Sequence, residues 1–206
     1  MKNKIELSII NPNLLSLSKY QFNLLVILPV AILMFVSCQT KTNDFIIKNK
    51  QVGKLTDTTT VAQMKQLYKN DSIYKKTPGK TAFEPFDEYH LVDKKSKKEL
   101  LVIIPKKMNE EQSLLKRIEI KSPLFKTEKG VGLASSFGDF KKHHKIGHID
   151  QTFKYIVVFI DDLNATISLS KDVLPLNAQH NPAIKIDATL IPDKAEIKDF
   201  IVFLNE

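Results

Sequence analysis

The chain has 206 residues, with 31 Lys or Arg against 23 Asp or Glu, and a formal net charge of +8. Its only cysteine, Cys38, leaves no internal disulfide to form. Arg117 is the only arginine, whereas proteins that read nucleic acid usually rely on arginine for bidentate contacts to phosphate and guanine. We therefore predict no nucleic-acid partner.

The first 37 residues have the pattern of a secretory signal peptide. Lys2, Lys4 and Lys19 precede an apolar run at residues 24–37, which is interrupted by Pro29. That run is shorter than the roughly 20 apolar residues that a membrane-spanning helix needs. A basic flank followed by a short apolar run is typical of an exported precursor.

The end of this leader indicates how the chain is attached. Phe35-Val36-Ser37-Cys38 resembles the lipobox of bacterial lipoproteins, although Phe35 replaces the usual leucine. The resemblance covers the leader only. It implies cleavage between Ser37 and Cys38 and a lipid on Cys38, which would bind the chain to a membrane of the cell envelope. Gln39, in place of the aspartate that favours inner-membrane retention, implies the outer membrane. The alternatives are an uncleaved anchor and an ordinary signal with a chance cysteine.

Cleavage at this point would leave one domain. Residues 38–44 form the lipidated cysteine and a short polar tether, and residues 45–206 are long enough to bury a core without disulfides. Because the remaining basic residues are almost all lysine, we interpret them as a solvated surface close to anionic lipid.

The first half of the domain alternates strand and helix patterns. A strand is predicted from Phe45 to Val52-Gly53, and residues 57–60 offer N-cap oxygens to a helix over residues 61–70. Val61, Met64, Leu67 and Tyr68 lie on one face of that helix. Apolar and β-branched runs then predict a hairpin and a further strand, at residues 87–92, 99–104 and 115–121.

The second half has the same order of patterns. Ser135-Ser136 is a capping site for a helix that begins at Phe137 and ends near Lys145. A second hairpin and a last strand follow, at residues 155–160, 165–170 and 195–204.

These halves predict a tandem repeat, with units at about residues 45–122 and 123–206. The fold class is α+β: one antiparallel sheet with two short helices on one face, built from two units of a helix and a strand meander. The matching segments are Val52-Gly53, residues 58–68, Val131-Gly132 and residues 135–142. In these segments the domain resembles tandem-repeat modules of the outer-membrane assembly lipoprotein type and of the β-lactamase-inhibitor-protein type. That resemblance implies a binding module without catalytic machinery.

Three histidines are the candidate metal ligands. His144 and His148 are spaced i, i+4, which would place both imidazoles on one helical face, and His143 is adjacent. However, Gly147 interrupts the pattern, and histidines near a helix C-terminus are also favoured by the helix dipole. We predict no metal site and keep His143, His144 and His148 as weak candidates.

Other polar motifs have simpler interpretations. Residues 130–135 could cradle phosphate but lack the lysine and the strand context that such loops need, so a turn into a helix cap is expected. Residues 161–164 could hold calcium, but a polar hairpin turn is expected. Phe83, Pro85 and Phe86 either present aromatics to a partner or pack on the sheet edge.

No serine lies in a nucleophile elbow and no carboxylate pair stands out, so we predict neither an enzyme nor a cofactor. The predicted function is a membrane-anchored envelope module that binds a protein of unknown identity or another envelope component. The alternatives are a carrier of lipid or glycan and, less favoured, a metal-dependent hydrolase built on the three histidines.

Overall fold

The computed structural model describes residues 44–76, 86–179, 181 and 184–205. The leader, the Ser37–Cys38 cleavage site, the tether up to residue 43, and Phe83 and Pro85 lie outside the described residues. No helix in the described ranges is long and apolar enough to cross a bilayer.

The fold is α+β, as predicted. The first half contains β1 (Ile46–Lys48), β2 (Gln51–Val52), β3 (Leu55–Thr56), α1 (Val61–Leu67), β4 (Ser72–Lys76), β5 (Glu88–Val92), β6 (Glu99–Pro105) and β7 (Leu115–Ile120). The second half contains β8 (Lys126–Thr127), α2 (Phe137–His143), β9 (Ile146–Gln151), β10 (Tyr155–Ile160), β11 (Ala165–Ser170), α3 (Leu176–Gln179) and β12 (Ile197–Phe203).

The strands form two sheets, whereas the sequence predicted one. Eight strands lie in the order β4-β5-β6-β7-β12-β11-β10-β9, and every neighbouring pair is antiparallel. Each half therefore contributes four strands, and the last strand of one half pairs with the last strand of the other. The remaining strands form a small sheet, β3-β2-β1-β8, in which β1 and β8 are parallel.

The predicted first strand is divided by a tight turn. Lys50 adopts a positive φ of 55°, which reverses the chain so that β1 and β2 pair antiparallel. Gly53 also has a positive φ, 56°, and a Cβ there would lie 2.5 Å from the Asp44 carbonyl oxygen. The predicted glycine therefore closes a turn against the start of the domain.

Both predicted helix caps are present. The side chains of Thr60 and Ser136 accept hydrogen bonds from the backbone N–H groups of Gln63 and Asp139. The side chains of Gln63 and Asp139 in turn accept hydrogen bonds from the backbone N–H groups of Thr60 and Ser136, which completes a capping box at each helix. Each helix is shorter than predicted. Helix α2 ends at His143, because the following residues pair as strand β9.

The core lies between the eight-stranded sheet and the helices. Val61 and Met64 of α1, and Phe137 and Phe140 of α2, belong to the same buried cluster as alternate residues of the strands. The ring of Phe140 contacts that of Phe200 on β12 edge to face, with a centroid distance of 5.3 Å. Both helices therefore cover one face of the sheet, as predicted.

Candidate functional site on the open face of the sheet

Strand register divides the large sheet into a covered face and an open face. Directly opposed residues in antiparallel strands point to the same side. Phe200 pairs with Ile167 and Val202 with Ile118, and all four belong to the buried cluster under the helices. The alternating residues, such as Phe203 paired with Arg117, therefore point away from the helices. We call this second side the open face, although Val102 and Ile104 on it are buried.

Arg117 lies near the middle of the open face, on strand β7. Its neighbours across the strands are Phe203 and Ile104, and its guanidinium carbon is 5.0 Å from the ring centroid of Phe86. Phe86 thus packs over the central strand β7, whereas the second of the two alternatives placed these aromatics on the sheet edge.

The Arg117 guanidinium has no anionic partner within the described ranges. Its Nε is buried and makes no hydrogen bond there. Glu119, two residues along the same strand, is paired with Lys121 at 3.1 Å. Leaving a buried charged donor unpaired costs about 1–3 kcal/mol or more, so the position favours an anion that is not among the described residues.

Aromatic side chains border this arginine on the side of the second half. The His148 ring stacks on Phe159 with a centroid distance of 3.5 Å. His148, Phe159 and Phe203 line a surface cleft of about 670 Å³, together with the amides of Asn164 and Asn205. Rings beside amides suit a ligand that combines an apolar group with hydrogen-bonding groups.

A second stack lies on the open face of the first half. Tyr74 on β4 and His90 on β5 are parallel, with a centroid distance of 4.7 Å, and half of the Tyr74 surface is exposed. Glu88 and Glu99 contact the two ring nitrogens of His90. The open face therefore has a histidine stacked on an aromatic ring towards each edge, with Arg117 between them.

The three candidate histidines are not brought together. The His143 ring N–H donates to the Asp139 carbonyl oxygen, His144 is buried, and His148 lies on strand β9. The helical i, i+4 arrangement is not realised, because α2 ends at His143, shortly before the end near Lys145 that the sequence predicted. Within the described ranges, no group of three His, Cys, Asp or Glu residues is arranged to hold a metal ion. The hydrolase alternative thus loses the ligand set on which it depended.

His144 instead connects a polar network. Its Nδ1 lies 3.0 Å from Asp162 Oδ2, and its Nε2 lies 3.0 Å from the Thr127 hydroxyl. Burial opposes ionisation of Asp162, but its bonds to His144 and to the Lys145 N–H outweigh this and lower its pKa. An Asp–His–hydroxyl order can activate a nucleophile. Here Thr127 is 3% exposed and no substrate can reach it, so the network joins α2, β8 and the β10–β11 turn.

The two other polar motifs are turns, as predicted. Residues Asp161–Leu163 form a 3-10 turn closed by Asn164 at a positive φ, and Asp161 is paired with Lys145 at 2.9 Å. Gly130 has a φ of 78° and leads the chain towards the Ser136 cap. The carboxylates that could have held calcium are thus occupied by basic and N–H groups.

These features describe an α+β protein with a helix-covered sheet face and an open face. No family model matches the chain, and no curated protein is similar to it in sequence. Among solved structures, the fold is similar to that of the uncharacterized protein yfeY from Escherichia coli. The TM-score is 0.52 at 12% identity, and the match covers 76% of this chain and 98% of that one. At this identity the likeness is one of fold alone.

Proposed function

We propose that the chain is the precursor of a cell-envelope lipoprotein, anchored through Cys38 to a membrane, with the outer membrane favoured. Its open sheet face binds a protein partner that places a carboxylate and an apolar side chain on Arg117 and the neighbouring rings. It has no catalytic role in this proposal.

Arg117 is the observation that carries the binding proposal. Arginine and aromatic residues dominate the binding energy of protein interfaces, and they do so where water is excluded. Arg117 combines a buried Nε, a ring above the guanidinium and no internal anion among the described residues. The planar guanidinium matches a carboxylate in bidentate geometry.

The carrier alternative differs in where the ligand would lie. Phe137, Phe140 and Phe200 are fully buried and fill space between the helices and the sheet. A lipid or glycan would therefore have to use the open face, where the 670 Å³ cleft is lined by both rings and amides.

Photo-cross-linking from defined positions tests the binding face. Benzoylphenylalanine replaces Phe203 on the open face in one full-length variant and Leu67 on helix α1, which is 43% exposed, in another. We expect one reproducible protein adduct on intact membranes from position 203 and none from position 67. Arg117→Gln should weaken that adduct about thirtyfold, as expected for a central interface arginine.

Lys142→Gln is the matched control, because it removes one exposed positive charge from α2, on the covered side of the sheet. Equal adducts from both positions, or an adduct unaffected by Arg117→Gln, would contradict the proposed face. Recovery of lipid or glycan at position 203 without a protein adduct would support the carrier.

The anchor is tested independently by metabolic labelling with an alkyne fatty acid. Labelling should require Cys38 and disappear in Cys38→Ser, while Ser37→Thr retains it. Equal labelling of the Cys38→Ser variant, or recovery of the protein in the cytoplasm without lipid, would disprove the lipoprotein proposal.

A further inference from the structure

One end of the large sheet collects features that the binding face does not use. The β5–β6 turn, residues 93–98, contributes Asp93, Ser96 and Lys98 to a cleft of about 550 Å³. Asp44, the first described residue, and Leu124 line the same cleft. The basic turn therefore lies beside the point at which the described domain begins.

The turn carries four lysines: Lys94, Lys95, Lys97 and Lys98. All four are exposed, and none makes an ion pair within the described part of the chain. The Asp93 carboxylate accepts the Ser96 N–H, and Asp44 is paired with Lys54 at 2.9 Å. Of these four lysines only Lys98 lines the cleft, where Lys54, Asp44, Asp71 and Asp93 are the other charged residues, so the excess positive charge lies on the turn itself and not in the cleft.

An apolar side chain lies beside these charges. Leu124 is 58% exposed, whereas the adjacent Phe125 is 1% exposed and packs edge to face on Phe45 at 5.2 Å. Phe125 fixes the segment to the small sheet, and Leu124 is held outward after Pro123. Leu124 shares the cleft with Lys98 of the basic turn. An exposed leucine beside a basic segment has the chemistry of a surface that contacts a bilayer, where the apolar group enters the headgroup region.

The length of the tether limits where this surface can be. Six residue-to-residue steps lead from Cys38 to Asp44. Even fully extended, they span at most about 20 Å. A lipid on Cys38 would therefore hold Asp44, and with it the basic turn, close to the membrane. Electrostatic attraction acts over about 10 Å at moderate ionic strength, and the tether is short enough to let the turn come within this distance of charged lipid.

We infer that the basic turn and Leu124 form a membrane-docking surface that binds anionic phospholipid headgroups, resting on the proposed anchor at Cys38. Docking at this end fixes the orientation of the tethered domain on the bilayer. The occupant is the membrane that holds the anchor, because the tether brings no other surface so close.

Depth-dependent quenching in vesicles tests this contact. Full-length lipidated protein carries a fluorophore on Leu124→Cys or, at the opposite end of the sheet, on Asn109→Cys. It is reconstituted with headgroup-quencher lipid in phosphatidylglycerol–phosphatidylethanolamine or in phosphatidylcholine vesicles. We expect quenching at position 124 in the anionic vesicles only, and none at position 109.

Charge removal provides the matched comparison. Lys94, Lys95 and Lys98 changed together to Gln should abolish most of the quenching, since each lysine near an anionic surface changes partition roughly fivefold. The control variant changes three other lysines to Gln, and the quenching at position 124 should remain. These lysines are also exposed and unpaired within the described residues: Lys106, Lys116 and Lys142.

Two results would overturn the inference. One is equal quenching at positions 124 and 109, and the other is quenching at position 124 that depends neither on lipid charge nor on the turn lysines. Intact mass reports the acyl group on Cys38 separately. Failure of the anchor and failure of the docking surface therefore give different results.

Discussion

At the scale of single residues, Tyr68 shows how burial changes the chemistry of a side chain. The residue is 6% exposed, and its hydroxyl makes no regular hydrogen bond to the described residues. Burial raises the pKa of its phenol to about 12, although the nearby Lys54 N–H weakly favours the ionised form.

This shift predicts a loss of stability in alkali. The unfolded phenol ionises near its ordinary pKa of 10, whereas the folded one remains neutral to about 12. The free energy of unfolding should be fully retained below pH 10 and fall between pH 10 and 12 as the unfolded state is favoured. Urea unfolding across this range measures the loss.

Tyr68→Phe should reduce the fall in unfolding free energy between pH 10 and 12. At neutral pH it should lower that free energy only slightly, because the hydroxyl makes no strong hydrogen bond. Tyr74→Phe is the control, since Tyr74 is 51% exposed. The same alkaline decline in wild type and Tyr68→Phe would disprove the assignment to this phenol.

At the scale of elements, helix α2 is constrained by a contact that its sequence does not reveal. Gly138 lies in its first turn and donates its N–H to the Asp193 carbonyl oxygen at 2.8 Å. A Cβ at this position would lie 2.8 Å from the Asp193 Cβ and 3.0 Å from that oxygen. The glycine is required by the close approach of the segment before β12.

We therefore expect Gly138→Ala to destabilise the protein, by about 1–3 kcal/mol, as overpacking does. In an exposed helix the same substitution would stabilise by up to about 1 kcal/mol, so the sign distinguishes the two cases. The sign of the effect is measured by thermal unfolding of Gly138→Ala, with Lys142→Ala in the same helix as the comparison. A rise in Tm for Gly138→Ala would contradict the contact.

The elements that the sequence predicted correctly carry strong local signals. Both hairpins have continuous apolar runs, and both helix starts have a Ser or Thr whose oxygen satisfies the N-terminal N–H groups. Strands β4 and β9 were missed. They are the two edge strands of the large sheet, and their polar sequences, SIYKK and IGHIDQ, become strands through pairing on one side only.

The candidate site was hidden for a different reason. Arg117 was noticed as the only arginine, but its neighbours Phe203 and Ile104 are distant in sequence and meet it only through strand register. The edge strand that carries His148 was not predicted either, because the sequence left residues 146–151 unassigned after a helix expected to end near Lys145. A one-residue error in register reverses the face of every side chain.

At the scale of the whole molecule, the two faces of the sheet differ in burial, and we propose that they divide stability from binding. Phe200 and Phe203 are three residues apart on β12. Phe200 is fully buried under α2 and contacts Phe140, whereas Phe203 is half-buried on the open face. The pair therefore offers a matched comparison of the two faces within one strand.

We expect Phe200→Ala to lower the free energy of unfolding by about 3–5 kcal/mol, as for other fully buried aromatics. Phe203→Ala should cost clearly less and should instead weaken the adduct formed from a cross-linker placed at Phe159. Chemical denaturation and cross-linking on the same variants give both quantities. A similar stability loss for both variants would mean that the open face is part of the core.

The symmetric strand order also bears on how the chain folds. Within each half, every pair in the large sheet joins strands that are consecutive in sequence, and only β7–β12 joins the halves there. Low sequence separation favours rapid pairing, so the N-terminal half can assemble before the C-terminal half is complete. Until β12 arrives, β7 is a bare edge, and a second copy of the same half offers it an equivalent strand. The interval between the two halves is therefore the time at which this chain is most open to domain swapping and aggregation, and at which a chaperone would have the most effect.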